Sequence, residues 1–165
     1  EFSDIQWIYK PHPALKNHIV NIIKMMTEQE YENYLDQWNS VSNTSIVQGG
    51  DYMQLFLDSD AMILDSLSFI SEYMYTKKPL LFLYKDKFPQ NPLFNEYGEQ
   101  VMPHVYSGHT LSDIRSFILK VVLGGEDIKL NSRSQFVEKY FKKDTLASKF
   151  IINHFENQFS INSIT

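Results

Sequence analysis

Between Lys78 and Lys85 the chain runs Pro79-Leu80-Leu81-Phe82-Leu83-Tyr84, an almost purely apolar strand. A strand with no polar face needs cover on both sides, and helices packed on either face of a parallel sheet supply it. The rest of the sequence agrees: short apolar runs alternate with amphipathic stretches, the pattern of βαβ units. Asp4 to Tyr9, Thr44 to Val47, Ala61 to Leu64 and Val101 to Tyr106 read as the other strands. The expected fold class is α/β, a Rossmann-like parallel sheet flanked by helices. The whole of residues 1–165 reads as a single domain, with a helical C-terminal segment from about 126 to 160.

Local signals place the helices. Pro13 starts one that runs to about Met26, with Leu15, Ile19, Ile22, Ile23 and Met26 at helical spacing. Thr27-Glu28-Gln29-Glu30 has the form of a capping box for a second, carrying Tyr31, Tyr34, Leu35 and Trp38. Tyr52 to Leu57 and Phe69 to about Lys77 are shorter helices. Thr110 starts another from Leu111 to Val122, stopped by Gly124-Gly125. Ser132 to Phe141 and Asp144 to Phe159 close the chain, and Lys85 to Pro92 is a loop broken by prolines.

Composition excludes several classes. A net charge of −5 is wrong for broad nucleic-acid binding, which draws on many Lys and Arg contacts to phosphate. A local basic spot remains in Lys77, Lys78, Lys85 and Lys87. The absence of cysteine removes disulfide frameworks and thiolate metal sites, which fits a reducing compartment. No apolar run approaches the ~20 residues that span a bilayer. The chain begins without Met and enters a strand almost at once, so it reads as an excised piece of a longer protein.

Parallel sheets bind ligands at the carboxyl ends of their strands. Lys10-Pro11-His12-Pro13, Gly49-Gly50 and Asp65-Ser66-Leu67-Ser68 all fall on that predicted edge. The two prolines stiffen His12, whose imidazole can donate to a phosphate oxygen or steady charge on a leaving group. The competing reading is a rigid turn with an incidental histidine. Lys10 adds a cation there, or merely faces solvent. Ser66 and Ser68 stand where a helix exposes unpaired N–H groups, a setting that can hold phosphate. Ordinary N-capping competes for those donors and is the better reading on residue type alone. Glu72 lies one turn into the helix from Ser68, where it reads as a capping partner or accepts hydrogen bonds from a ribose diol. Asp65 fixes the turn. His18, His104, His109 and His154 have no partner at metal-ligand spacing and read as surface or core residues. Tyr31, Tyr34 and Trp38 read as core. No Walker A, G-x-G-x-x-G, G-x-S-x-G or H-E-x-x-H motif occurs.

Lys10-Pro11-His12-Pro13, then Ser59 to Tyr73, then Lys78-Pro79-Leu80-Leu81-Phe82 resemble the CDP-glycerol glycerophosphotransferase family of teichoic-acid primases and polymerases. That family carries a basic-Pro-His-Pro segment, an S-D-x-L-I-T-D-Y-S-S segment with an acidic-Tyr pair after it, and a Lys/Arg-Pro strand. The resemblance covers about residues 5–120. It implies the C-terminal, donor-nucleotide-binding domain of a GT-B-type transferase. It also implies that His12 (with the catalytic role) and Ser68 contact the donor pyrophosphate, with Lys10 and Ser66 beside them and Glu72 at the ribose. The family moves glycerol phosphate from CDP-glycerol to a hydroxyl of a membrane-linked polymer acceptor and releases CMP. The attacking hydroxyl's base and the acceptor belong to an N-terminal half, so residues 1–165 alone are expected to be inactive. The implied place is the cytoplasm, peripheral at the inner face of the plasma membrane. No metal or other cofactor is expected, and no nucleic-acid partner.

Two positions depart from the family pattern. Asp-Tyr-Ser-Ser is here Asp65-Ser66-Leu67-Ser68, and Lys85 to Tyr97 lacks the usual Arg-Gly-aromatic stretch. Two other readings therefore stand beside the first. One is the C-terminal domain of a nucleotide-sugar glycosyltransferase for capsule or surface polysaccharide. The other is a non-catalytic α/β interaction domain.

Overall fold

A computed structural model describes residues 2–84, 95–141 and 146–158. The expected loop from Lys85 to Pro92 lies outside the described residues, as do Lys85 and Lys87 of the basic spot. The chain forms two compact units, Glu1–Tyr52 and Met53–Thr165. It is mixed α/β, with small parallel sheets flanked by helices. In place of the one sheet expected from sequence there are two, of two and three strands.

In the first unit, β1 (Trp7–Tyr9) pairs in parallel with β2 (Thr44–Ile46), Tyr9 opposite Ile46. Between them run α1 (Leu15–Asn17), which continues as π-helical turns over His18–Ile22, and α2 (Glu28–Ser40). The capping box of α2 forms as its sequence predicts: Thr27 Oγ1 accepts from the Glu30 N–H at 3.2 Å, and the Glu30 carboxylate accepts from the Thr27 N–H at 2.7 Å. Tyr31 and Leu35 are buried, and Trp38 stacks on Tyr9 with centroids 4.8 Å apart. The helix expected from Pro13 to Met26 stops earlier, at Ile22. The run Ile19-Val20-Asn21-Ile22-Ile23 is rich in β-branched residues that fit a helix poorly, and Lys24 has φ +52°.

The second unit is built on β3 (Met62–Leu64), β4 (Leu80–Leu83) and β5 (Tyr106–Gly108), all parallel, with β4 central. Leu80, Leu81 and Phe82 are buried, as an apolar central strand requires. The helices of this unit are α3 (Met53–Asp58), α4 (Ile70–Met74), α5 (Glu96–Val101), α6 (Leu111–Ser116, continuing π-helically to Leu123), α7 (Leu130–Tyr140) and α8 (Ala147–Gln158). Phe56, Ile70, Tyr73 and Met74 fill the core together with Phe117, Ile118, Phe136 and Val137. Lys78 Nζ donates to the carbonyls of Leu57 and Ser59 at the end of α3, and Lys77 pairs with Glu138 at 2.9 Å. Both lysines of the basic spot that are described thus have protein partners.

The strand expected over Val101 to Tyr106 sits elsewhere. Asn95 caps α5, its side chain accepting from the Gly98 N–H at 2.8 Å, and Pro103 follows in a 3₁₀ turn, so the last strand begins only at Tyr106. Its final residue has to be small, because a Cβ on Gly108 would meet Asp113 Cβ at 2.9 Å.

A buried charge joins β5 to α7. Arg133 is 0% exposed, pairs through Nη2 with Asp127, and donates from Nε to the Lys77 carbonyl at 2.9 Å. Tyr106 Oη donates to the other Asp127 oxygen at 2.9 Å, and Lys129 Nζ donates to the Pro103 and Val105 carbonyls. Burial, and then the Arg133 charge, pull the Lys129 ammonium below its ordinary range. Burial likewise lowers the His104 imidazole, whose Nδ1 is shielded without a hydrogen-bond partner among the described residues.

Removing one member of a buried pair strands the other, at about 3–5 kcal/mol. Asp127→Ala should therefore lower the unfolding free energy of the second unit by about that much, measured by urea denaturation. His104 gives a pH signature. A histidine held neutral by the fold takes up a proton on unfolding, so stability present above its unfolded value, about pH 6.5, is lost as the pH falls below it. Denaturation midpoints should drop between about pH 7 and 5, and His104→Gln should flatten that slope.

Candidate functional site

The carboxyl edge of the first sheet carries Lys10 and His12. Val47 N–H donates to the Tyr9 carbonyl at 3.0 Å, and the chain then turns through Gly49 and Gly50, both at positive φ (65° and 70°) that favours glycine. Lys10 Nζ donates to the Gly49 carbonyl at 3.0 Å and lies 5.9 Å from the centre of the Tyr52 ring. Instead of simply facing solvent, Lys10 ties the turn after β1 to the turn after β2. His12 is exposed, next to buried Pro11. Its Nδ1 accepts from the Ala14 N–H at 3.1 Å and its carbonyl accepts from the Leu15 N–H at 2.8 Å, so it organises the start of α1. An Nδ1 that accepts carries no proton. In the neutral ring the proton then sits on Nε2, which is left as the donor.

The second sheet's carboxyl edge carries Ser66, Ser68 and Glu72. The ladders pair Leu64 with Phe82 and Leu83 with Gly108, and Tyr84 N–H adds a bond to the Gly108 carbonyl at 2.9 Å. Three turns therefore leave one edge side by side: Asp65 to Ser68 after β3, Tyr84 after β4, and His109-Thr110 after β5. Adjacent strands lie about 4.8 Å apart, which makes this edge about 10 Å wide.

Ser66 and Ser68 are exposed. Capping, the better reading on residue type, is not what they do. The N-cap of α4 is Phe69, without any side-chain cap, and no Ser68–Glu72 capping box forms. The helix predicted over Phe69 to Lys77 is only Ile70–Met74, five residues. So short a helix has little macrodipole to offer a phosphate, and that part of the sequence argument falls away. The serine hydroxyls remain. Glu72 is half-buried, and its Oε2 is shielded from solvent with no hydrogen-bond partner among the described residues.

Sequence reasoning passed over two residues at this edge. The rings of Tyr84 and His109 stack with centroids 5.2 Å apart and planes 21° apart. His109 N–H donates to Asp113 Oδ2 at 2.9 Å, and Thr110 closes a capping box with the same carboxylate. These donors, the His109 N–H first, hold the Asp113 carboxyl below its ordinary range. The side chain of His109 is exposed. Once β5 is read as Tyr106–Gly108, His109 is the first residue past a strand; the misplaced strand hid it.

Among the described residues no group of three or more His, Asp or Glu could hold a metal ion, and no helix is long and apolar enough to cross a membrane. No protein-family model, curated protein or solved structure matches the chain.

The Ala14–His12 hydrogen bond makes a specific prediction. Long-range ¹H–¹⁵N NMR of the imidazole at pH 8 should show His12 as the Nε2–H tautomer. Equal populations of the two tautomers would mean that the bond does not form in solution.

Proposed function

We propose that this chain is the donor-nucleotide-binding part of a GT-B-type, glycerophosphotransferase-like enzyme. Its donor is CDP-glycerol, and the glycerol phosphate goes to a hydroxyl of a membrane-linked polymer acceptor at the inner face of the plasma membrane. The observation that carries the reading is the Glu72 carboxylate, whose Oε2 is shielded and unpaired among the described residues. A buried acceptor without a donor is costly in a stable fold, and a ribose diol supplies the missing O–H. The exposed hydroxyls of Ser66 and Ser68 lie two to four residues after the end of β3, where a parallel sheet takes its ligand. In the first unit, His12, with an Nε2–H donor on a turn stiffened by two prolines, and Lys10 stand at the carboxyl edge of that unit's own sheet.

The chemistry this reading assigns to the chain is positioning and electrostatics. Hydroxyl and imidazole donors steady the charge that builds on the departing cytidine phosphate. The base that activates the acceptor belongs to another domain.

Calorimetric titration with CMP, CDP, UDP and GDP tests the reading. Cytidine nucleotides should bind selectively, and Glu72→Gln should weaken CMP roughly tenfold or more, the scale of a hydrogen bond to a charged group. A preference for UDP or GDP would move the reading to a sugar transferase. Absence of binding by all four at millimolar concentration would contradict it.

A further inference from the structure

We infer that His109 is a phosphate-contacting residue at the carboxyl edge of β3, β4 and β5, set in place by the ring of Tyr84. The inference rests on the nucleotide-binding reading above and adds a contact on the phosphate side. Among the described residues, those that leave the three strands at this edge are Asp65, Ser66, Leu67, Ser68, Tyr84, His109 and Thr110. Asp65 repels an anion, and the hydroxyls supply only neutral dipoles. Of these seven, His109 alone has a basic side chain, and a charge-assisted hydrogen bond is about twice as strong as a neutral one.

The geometry is prepared from two sides. The Tyr84 ring lies against the imidazole at 5.2 Å and 21°, which restricts its rotation. The backbone is pinned by the bond from the His109 N–H to Asp113 and by the capping box of Thr110. Three donors, the His109 and Thr110 N–H groups and the Thr110 hydroxyl, share one oxygen of the Asp113 carboxylate at 2.9 Å each. The imidazole itself stays exposed. An exposed side chain held this firmly has little conformational entropy left to lose when it meets a ligand. The width of the edge, about 10 Å from the turn after β3 to the turn after β5, suits a nucleoside phosphate that reaches from the serine hydroxyls to the imidazole.

The test is the affinity of the chain for CMP and for cytidine, in the parent protein and in His109→Gln, His109→Lys and Tyr84→Leu, each checked for folding by thermal melting. His109→Gln should weaken CMP about tenfold and leave cytidine unchanged, because only CMP carries the phosphate. His109→Lys, which supplies a cation, should recover most of the loss, and Tyr84→Leu, which removes the stacked ring, should weaken CMP and leave cytidine unchanged. Equal CMP affinity in His109→Gln and the parent overturns this inference and leaves the nucleotide reading standing. So does a fall for cytidine as large as that for CMP, which would place the imidazole on the base. A parent protein that binds no CMP overturns both.

Discussion

β4 has no side that can face water. With Leu80, Leu81 and Phe82 all buried, the strand must sit in the middle of a sheet with cover on both faces. A parallel sheet is the arrangement that short βα connections allow, and it points the carboxyl ends of β3, β4 and β5 at one edge. The position of the candidate site follows from this burial before any site residue is considered. The Arg133–Asp127 pair then fixes β5 against α7, since Asp127 also accepts from Tyr106, the first residue of β5. That strand ends one residue before His109.

Features that depend on neighbours in sequence were legible. The capping box at Thr27–Glu30 needs a hydroxyl and a carboxylate three residues apart, and Thr110 is a good N-cap residue; both helices start where those residues put them. β4 was legible because unbroken hydrophobicity over a short run admits few other readings. Features decided by competition between local and distant forces were not. Val101 and Val105 made their stretch look like a strand, but the Asn95 cap and Pro103 turn it into helix and 3₁₀ structure, and both valines serve the core from there. Arg133 carried no sign of its burial, because a charge is stable inside only through partners supplied by Lys77 and Asp127.

The candidate site divides in the same way. Its residue types could be read along the chain, and the roles of those residues could not. Ser66 and Ser68 looked like caps and are not, because α4 begins after Phe69 and is only five residues long. Lys10 read as a site cation or a solvent-facing charge, and it bonds the Gly49 carbonyl; His12 both organises α1 and keeps one nitrogen as a donor. The stack of Tyr84 on His109 joins residues twenty-five positions apart, each the first past one of two neighbouring strands. No spacing rule finds such a pair; the register of β4 against β5 creates it.

The most direct test of this account is where a nucleotide lands. In a ¹H–¹⁵N correlation spectrum of the chain titrated with CDP, the account predicts the largest shifts at Asp65 to Ser68, Glu72, Tyr84 and Gly108 to Thr110. Shifts confined to residues away from the carboxyl edge of β3, β4 and β5, for instance along α7 and α8, would contradict it.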